Sequence, residues 1–428
     1  MPFPMSPSPP ARAAGIAFMA ALSVLMAFGP MSTDMYLPAL PRMAEVLGST
    51  PARLQLTVSS FLVGFGLGQL IWGPLGDRFG RKVPVVGGIC LYLVATVGCA
   101  VGTSLAEVVV WRVLQALGAC AGPVLARAMV RDVYGREQGA RALSTLMLVM
   151  SVAPLIAPLL GGQMLLWFDW RAIFWLQAGF GALALLSVTR LKDTLPVASR
   201  ATLHPHHVLH AYLDMLTSRR FLLPALTGGF FYVGVFSYVA GTPFAYVVYH
   251  HVAPELYGLL FAIGICGMTA MNVVNRAMVP RYGSERMQQI GSIVALLSGA
   301  ATALTASTDW GGLPGLVAPL LVYIAMLGLI SANALSGAMA AFPQRAGAAS
   351  ALAGCLQFCF GAFGSAIVAW LADGTPGPMG WVIAVSGVLT CVSTLLLRPR
   401  GPVPAEPAAR ATETVRAAEE SGRAAPAP

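Results

Sequence analysis

Twelve runs of about twenty or more mostly apolar residues follow one another along the chain, at roughly 13–38, 53–74, 83–103, 107–129, 140–166, 170–191, 221–247, 255–278, 287–306, 313–337, 347–371 and 379–397. Each is long enough to cross the ~30 Å hydrocarbon layer of a bilayer as a helix. Barrel strands would be about ten residues long and alternate in polarity, and these runs do neither. The expected fold class is therefore an all-α integral membrane protein with 12 transmembrane helices. Composition agrees: 57% of the residues are hydrophobic and 10% charged, against about 25% charged in soluble domains. The first run follows Arg12 and could pass for a signal peptide. It exceeds the about 7–15 apolar residues of a signal core and lacks a clear small-x-small cleavage site, so it reads as an uncleaved first span.

The net charge of +9 is a matter of topology. With the N-terminus in the cytoplasm, all 26 Lys and Arg except Arg42, Arg53, Arg112 and Arg171 fall in or beside cytoplasmic segments, as the positive-inside rule requires. Both termini are then cytoplasmic and no nucleic-acid surface is implied. The seven cysteines all lie in apolar segments and their number is odd, so they read as small packing residues. The longest inner connection, 192–220, divides the spans six and six, a known transporter plan. The expected organisation is a cytoplasmic N-terminus (1–12), a first six-helix bundle (13–191), a cytoplasmic linker (192–220), a second six-helix bundle (221–398) and a disordered cytoplasmic tail (399–428). His204, His206, His207 and His210 in the linker have no Cys or acid at ligand spacing apart from Asp214, and Pro205 interrupts them. They suit a solvated or membrane-surface helix better than a metal site.

Four stretches carry more than hydrophobicity. GPLGDRFGRK, residues 73–82, joins spans two and three. Gly73 and Gly80 permit a tight turn, Arg78, Arg81 and Lys82 hold the loop inside, and Asp77 offers a charge to a cation or helix N-terminus. Its counterpart in the second half, VPRYGSER at 279–286, keeps Arg281-Tyr282-Gly283 but has Pro280 in place of the acid. In span five, SVAPLIAPLLGG contains Pro154, Pro158, Gly161 and Gly162; proline kinks a helix and small residues admit a close neighbour. Span four opens with EVVVWRVLQALGA, which places Arg112 and Gln115 one turn apart.

These stretches resemble the major facilitator superfamily. The 73–82 loop is similar to its G-x-x-x-D-R-x-G-R-R/K element. Residues 157–162 resemble the G-P-x-x-G-G element of its antiporter branches, with Ala157 for the first glycine. Arg112, Gln115 and Gly118 resemble R-x-x-Q-G-x-G, with the glycine displaced. Together with STDMYLPALP (32–41), RDVYGREQGAR after span four, HVAPELYG (251–258) and FPQRAGAASAL (342–352), the chain resembles the bicyclomycin- and chloramphenicol-resistance (Bcr/CflA) family of drug:proton antiporters over about residues 15–398. AMAAFPQ departs from relatives that carry an acid near the Phe-Pro. The resemblance implies the major facilitator fold of two six-helix halves (6+6), a monomer, no cofactor beyond the proton gradient as energy source, and a cytoplasmic latch between the halves made by Asp77 and Arg81. Arg131, which begins RDVYGREQGAR, is a candidate member of the same charge cluster.

Of 17 Asp and Glu residues, only Asp34 falls well within a span. A carboxylate there costs roughly 2.5–3.5 kcal/mol on insertion scales. Asp34 lies about five residues before the outer end of span one and Arg112 about five after the outer start of span four, so both sit about 7–8 Å below the outer rim. They can meet at one depth, either as a proton-coupling pair or as a permanent structural ion pair. Tyr36, Gln69, Gln115, Met150, Phe231, Tyr232, Phe236, Asn272 and Gln357 supply an aromatic and amide mixture suited to a loose pocket between the halves.

The expected function is a proton-coupled multidrug efflux antiporter of the bacterial inner membrane, exporting small amphipathic drugs in exchange for protons. A proton-coupled importer or exporter of a small metabolite shares the fold. A channel lacks its ring of selectivity groups, and an enzyme lacks any nucleophile, metal or phosphate-loop constellation.

Overall fold

The computed structural model describes residues 15–134, 137–200 and 205–397. The N-terminal segment 1–12, the tail 399–428 and His204 lie outside them. Among the described residues there are helices and turns and no strands. The first crossing is α1 (Ile16–Asp34), continued after a 3₁₀ turn at Leu37–Ala39 by the short α2 (Leu40–Val46). Pro38 and Pro41, which cannot donate backbone hydrogen bonds, fall at the starts of that turn and of α2. Then come α3 (Pro51–Phe79), α4 (Lys82–Val101), α5 (Leu105–Tyr134), α6 (Glu137–Met164) and α7 (Arg171–Thr189). The Thr50 hydroxyl caps α3 by accepting from the Arg53 amide at 3.3 Å, with Pro51 at the first helical position.

After the linker helix α8 (Pro205–Thr217), the second half comprises α9 (Arg219–Thr242), which runs into a π-helical turn at Pro243–Tyr249, then α10 (Pro254–Tyr282) and α11 (Ser284–Thr308). Its fourth crossing is broken into α12 (Gly312–Ala325) and α13 (Leu327–Ala340) at Met326, where 3₁₀ bonds replace α-helical ones. The last two crossings are α14 (Ala346–Leu371) and α15 (Gly377–Leu395). Gly80 (φ 86°) and Gly283 (φ 81°) end α3 and α10 at matching points of the two halves. Each follows an Arg-aromatic pair, so the internal repeat seen in the sequence is also a repeat of backbone conformation.

The exterior is apolar, with Val94, Leu297 and Leu304 each more than half exposed, as lipid-facing residues are. Because crossings alternate in direction, the Gly73–Lys82 loop, α8 and the start of α14 share one end of the molecule, called here the basic face. Trp167, Trp310, Trp370 and Trp381, all exposed, lie at the other end, as an interfacial aromatic belt does. The halves meet along two pairs, α3 against α14 and α6 against α10. Small residues make the approach close: Ser59 of α3 donates to Ser365 of α14 at 2.9 Å, and a side chain at Gly66 would meet Cys355 and Cys359. The linker helix α8 lies under the second half, with Tyr212 and Met215 buried beside Phe221, Ala349 and Leu352.

Candidate functional site

A helix that stops inside the bilayer leaves its last carbonyls without intrahelical partners. For α1 these include Met31 and Ser32, and both are met by side chains from other helices. Arg112 of α5 donates from Nη1 to the Ser32 carbonyl at 2.9 Å and to Gln115 Oε1 at 2.7 Å. Gln177 of α7 donates to the Met31 carbonyl at 3.1 Å. Gln115 Nε2 donates to Gln177 Oε1 at 3.0 Å and to Thr96 Oγ1 of α4 at 2.8 Å. The Ser32 hydroxyl donates to Tyr92 OH at 3.2 Å. The resulting polar knot fastens the end of α1 to α4, α5 and α7, with a cation placed where a helix dipole favours one. The Arg112 guanidinium lies between two rings, 4.1 Å from the centroid of Tyr36 and 4.3 Å from that of Phe61. Its Nε and Nη2 are buried and, among the described residues, have no hydrogen-bond partner.

Asp34 is buried and, among the described residues, has no hydrogen-bond or ion-pair partner. Arg112 acts on it through space, but the two charges do not come within the 4.0 Å of an ion pair. The permanent ion pair that equal depth allows is thus not formed, and the one engaged donor of Arg112, Nη1, goes to Ser32 and Gln115. Met35 and Tyr36, next along the chain, pack in one core with Tyr238 of α9 and Tyr257 of α10, so Asp34 lies at the seam with the second half. Tyr257 OH is shared with Thr242 Oγ1 at 3.1 Å, whereas Tyr238 OH is buried without a partner.

The Pro-Gly element of α6 lies on the same seam. A Cβ at Gly161 would strike the Met35 carbonyl just beyond α1, and one at Gly162 would fall 2.9 Å from the Pro254 carbonyl of α10. In return, a Cβ on Gly258 of α10 would meet the backbone of Pro158 and Leu159 at 2.8–2.9 Å. Bare backbone on both sides lets α6 touch α1 and α10 at once. Pro154 lies in the preceding turn of α6.

At the opposite end, a cavity of about 680 Å³ on the basic face lies between α3 and α5 of the first half, the linker helix α8, and α13 and α14 of the second half. Gln69, Gly73, Asp77, Arg81, Arg127, Arg131 and Arg345 are among its lining residues. Arg81 donates to Asp77 at 2.6 Å and to Asp132 at 2.8 Å, and its amide to Asp193 at 2.9 Å. Lys82 reaches the Thr189 carbonyl at 2.7 Å, and Arg78 lies over the ring of Phe79. A side chain at Gly80 would collide with Asp193 and Arg200. Every one of these contacts stays within the first half and the segment after α7. In this conformation Asp77 and Arg81 do not latch the halves to each other, because the cavity separates them from α13 and α14.

The remaining pocket candidates divide. Tyr36 and Gln115 belong to the knot. Gln69 lines the cavity, against Gly354 of α14, and the buried Gln357 lies against Gly228 of α9. Tyr232 and Phe236 join Phe358, each pair of centroids 5.8 Å apart, and Phe358 meets Phe65 of the first half at 4.8 Å. Phe231 instead stacks on Tyr323 inside the second half. Asn272 is exposed, and the buried amide of α10 is Asn275, which accepts from Asn333 at 2.9 Å. Met150 is exposed. Sequence reasoning passed over Gln177, Thr96, Tyr92, Arg127, Phe65 and Phe358. Gln177 and Arg127 carried the signal that singled out Asp34, a polar group within an apolar run.

The sequence profile of the Major Facilitator Superfamily matches residues 22–365. An uncharacterized MFS-type transporter, YdgK of Bacillus subtilis, is 35% identical, covering 86% of this chain and 92% of its own. A bicyclomycin resistance protein homolog of Haemophilus influenzae is 29% identical over 90% of this chain and 96% of its own, and a chloramphenicol resistance protein of Pseudomonas aeruginosa 32% identical over 82% and 83%. Among solved structures, a D-xylose-proton symporter superposes with a TM-score of 0.71 over 90% of this chain and 98% of its own, at 17% identity, a likeness of fold. The chain is therefore a multi-pass transporter of the major facilitator superfamily, and belongs to the branch that holds the bicyclomycin- and chloramphenicol-resistance proteins.

Proposed function

We propose that this protein is a proton-coupled multidrug antiporter of the bacterial inner membrane, exporting small amphipathic drugs of the chloramphenicol and bicyclomycin kind by alternating access. It acts as a monomer, takes no cofactor and draws its energy from the proton gradient. The observation that carries the reading is Asp34 at the seam between the halves, without a partner among the described residues, near a cation two of whose donors are likewise unpaired among them. A buried carboxyl with no fixed partner can change protonation without breaking an ion pair. When the seam opens outward, water and protons reach Asp34; when it closes, the acid is covered by the second half while the cavity stands open to the cytoplasm.

The basic face is cytoplasmic by the positive-inside rule, which leaves both termini inside. The two bundles, 13–191 and 221–398, rock about the seam of α3 with α14 and α6 with α10. The relatives named for resistance to bicyclomycin and chloramphenicol supply the substrate kind.

The test is Asp34→Asn in proteoliposomes with an imposed pH gradient. Wild type accumulates chloramphenicol uphill, and the variant only equilibrates it, a loss of at least about tenfold in steady-state gradient. Uphill transport by Asp34→Asn would place the coupling acid elsewhere.

A further inference from the structure

The cavity on the basic face carries more positive charge than its surroundings balance. Four arginines border it, Arg81, Arg127, Arg131 and Arg345, against the single acid Asp77. Arg81 is neutralised by Asp77 and Asp132, and Arg345 reaches Asp214 at 3.9 Å. Arg127 and Arg131 have no carboxylate partner among the described residues. They stand one turn apart on α5, like charges facing one space, which is unfavourable unless an anion visits. Arg127 commits only Nε, to the Pro123 carbonyl at 2.9 Å on its own helix.

The second half adds to the same field. Arg131 Nη1 lies 3.8 Å from where a side chain would begin at Gly347. There α14 starts, without a side-chain cap and with the positive end of its dipole toward the cavity. The positive-inside rule accounts for a cation at a helix end such as Arg131. It does not account for Arg127, about 6 Å deeper along α5. The rest of the wall is largely apolar, with Val124, Leu125, Val208 and Met339.

We propose that this cavity selects amphipathic anions, molecules with an apolar or aromatic body and a carboxylate or comparable acid group, and disfavours lipophilic cations. Arg127 and Arg131 take the acid group, and the N-terminus of α14 closes on it from the other half. A planar guanidinium matches a carboxylate in two-point contact, and the half-buried Arg127 sets the acceptor group deeper in the cavity than the exposed Arg131. This inference rests on the efflux reading of the same cavity and adds amphipathic anions, ranked above neutral drugs, to the substrates it takes.

Three probes with one fluorophore test it: dansylglycine, its primary amide, and the dansyl derivative bearing a trimethylammonium group. Binding to the purified full-length protein is read by fluorescence, and transport in proteoliposomes under a pH gradient. Affinity should fall in the order carboxylate, amide, trimethylammonium. In the Arg127→Gln, Arg131→Gln double variant the carboxylate-to-amide preference should fall about tenfold, and the Arg127→Lys, Arg131→Lys variant, which keeps the charge but not the two-point contact, should keep only part of it. Equal or tighter binding of the trimethylammonium probe by wild type overturns the inference, as does an unchanged preference in the glutamine variant or binding of none of the three. If the binding order holds but no probe moves with the proton gradient, the efflux reading fails and the anion site stands. If all three are exchanged for protons equally, the reverse is true.

Discussion

Arg112 does two things with one guanidinium: it bonds the end of α1 and stands near Asp34 without pairing with it. The first role predicts the cost of losing it. Arg112→Ala leaves the Ser32 carbonyl and Gln115 Oε1 unpaired in a dry site, and should destabilise the protein by about 2–4 kcal/mol, read as a lowered unfolding midpoint in detergent. Arg112→Lys keeps the charge but loses the flat contact with Tyr36 and Phe61, and should recover only part of it. Gln177→Leu, far from any drug, should cost about 1–3 kcal/mol in the same measurement because it strips both Met31 and Gln115 of a partner. Asp34 and Arg112 were visible in the sequence because charge inside an apolar run stands out. Counting residues from the helix ends also gave their common depth. Rotation about each helix axis is what the count could not supply, and rotation turned Arg112 toward Ser32 rather than toward the Asp34 carboxyl.

Among the elements, α6 decides how closely the halves meet. Its proline and glycine pattern was legible as a kink with a small-residue face, but nothing in the pattern says that the face serves two neighbours. Gly161 receives the chain just after α1, and Gly162 receives the start of α10. Gly162→Val should therefore hold the outer seam apart. We expect transport to fall more than about tenfold in this variant, and Asp34→Cys, introduced separately into it in a background with the other cysteines replaced, to become reactive to a membrane-impermeant thiol reagent added from outside. If that cysteine stays unreactive and transport continues, α6 does not gate the seam. The second-half repeat shows the converse limit of sequence reading. Arg281-Tyr282-Gly283 keeps the turn, since Gly283 has the same positive φ as Gly80, yet the acid that would complete a charge cluster is absent at Pro280.

For the molecule as a whole, the six-plus-six count and the alternation of crossings followed from hydrophobic length alone, because lipid leaves so few alternatives to a full-length helix. Which end of the bundle stands open was not written in any local stretch, since it depends on contacts between residues some three hundred positions apart. The hydroxyl pair Ser59–Ser365 is one such contact and offers a direct test. In a background with the native cysteines replaced, Ser59→Cys with Ser365→Cys should form a disulfide under mild oxidation and stop transport, and a reductant should restore it. Continued turnover of the cross-linked protein would mean that α3 and α14 do not part during the cycle.

The polar knot at the end of α1 has a further consequence. By tying Met31 and Ser32 to α4, α5 and α7, it makes the seat of the acid a fixed fitting of the first half, while Tyr238 and Tyr257 belong to a cover that comes and goes. The proton then stays in place while its surroundings are exchanged, and the cycle works like an airlock whose chamber is still and whose doors move.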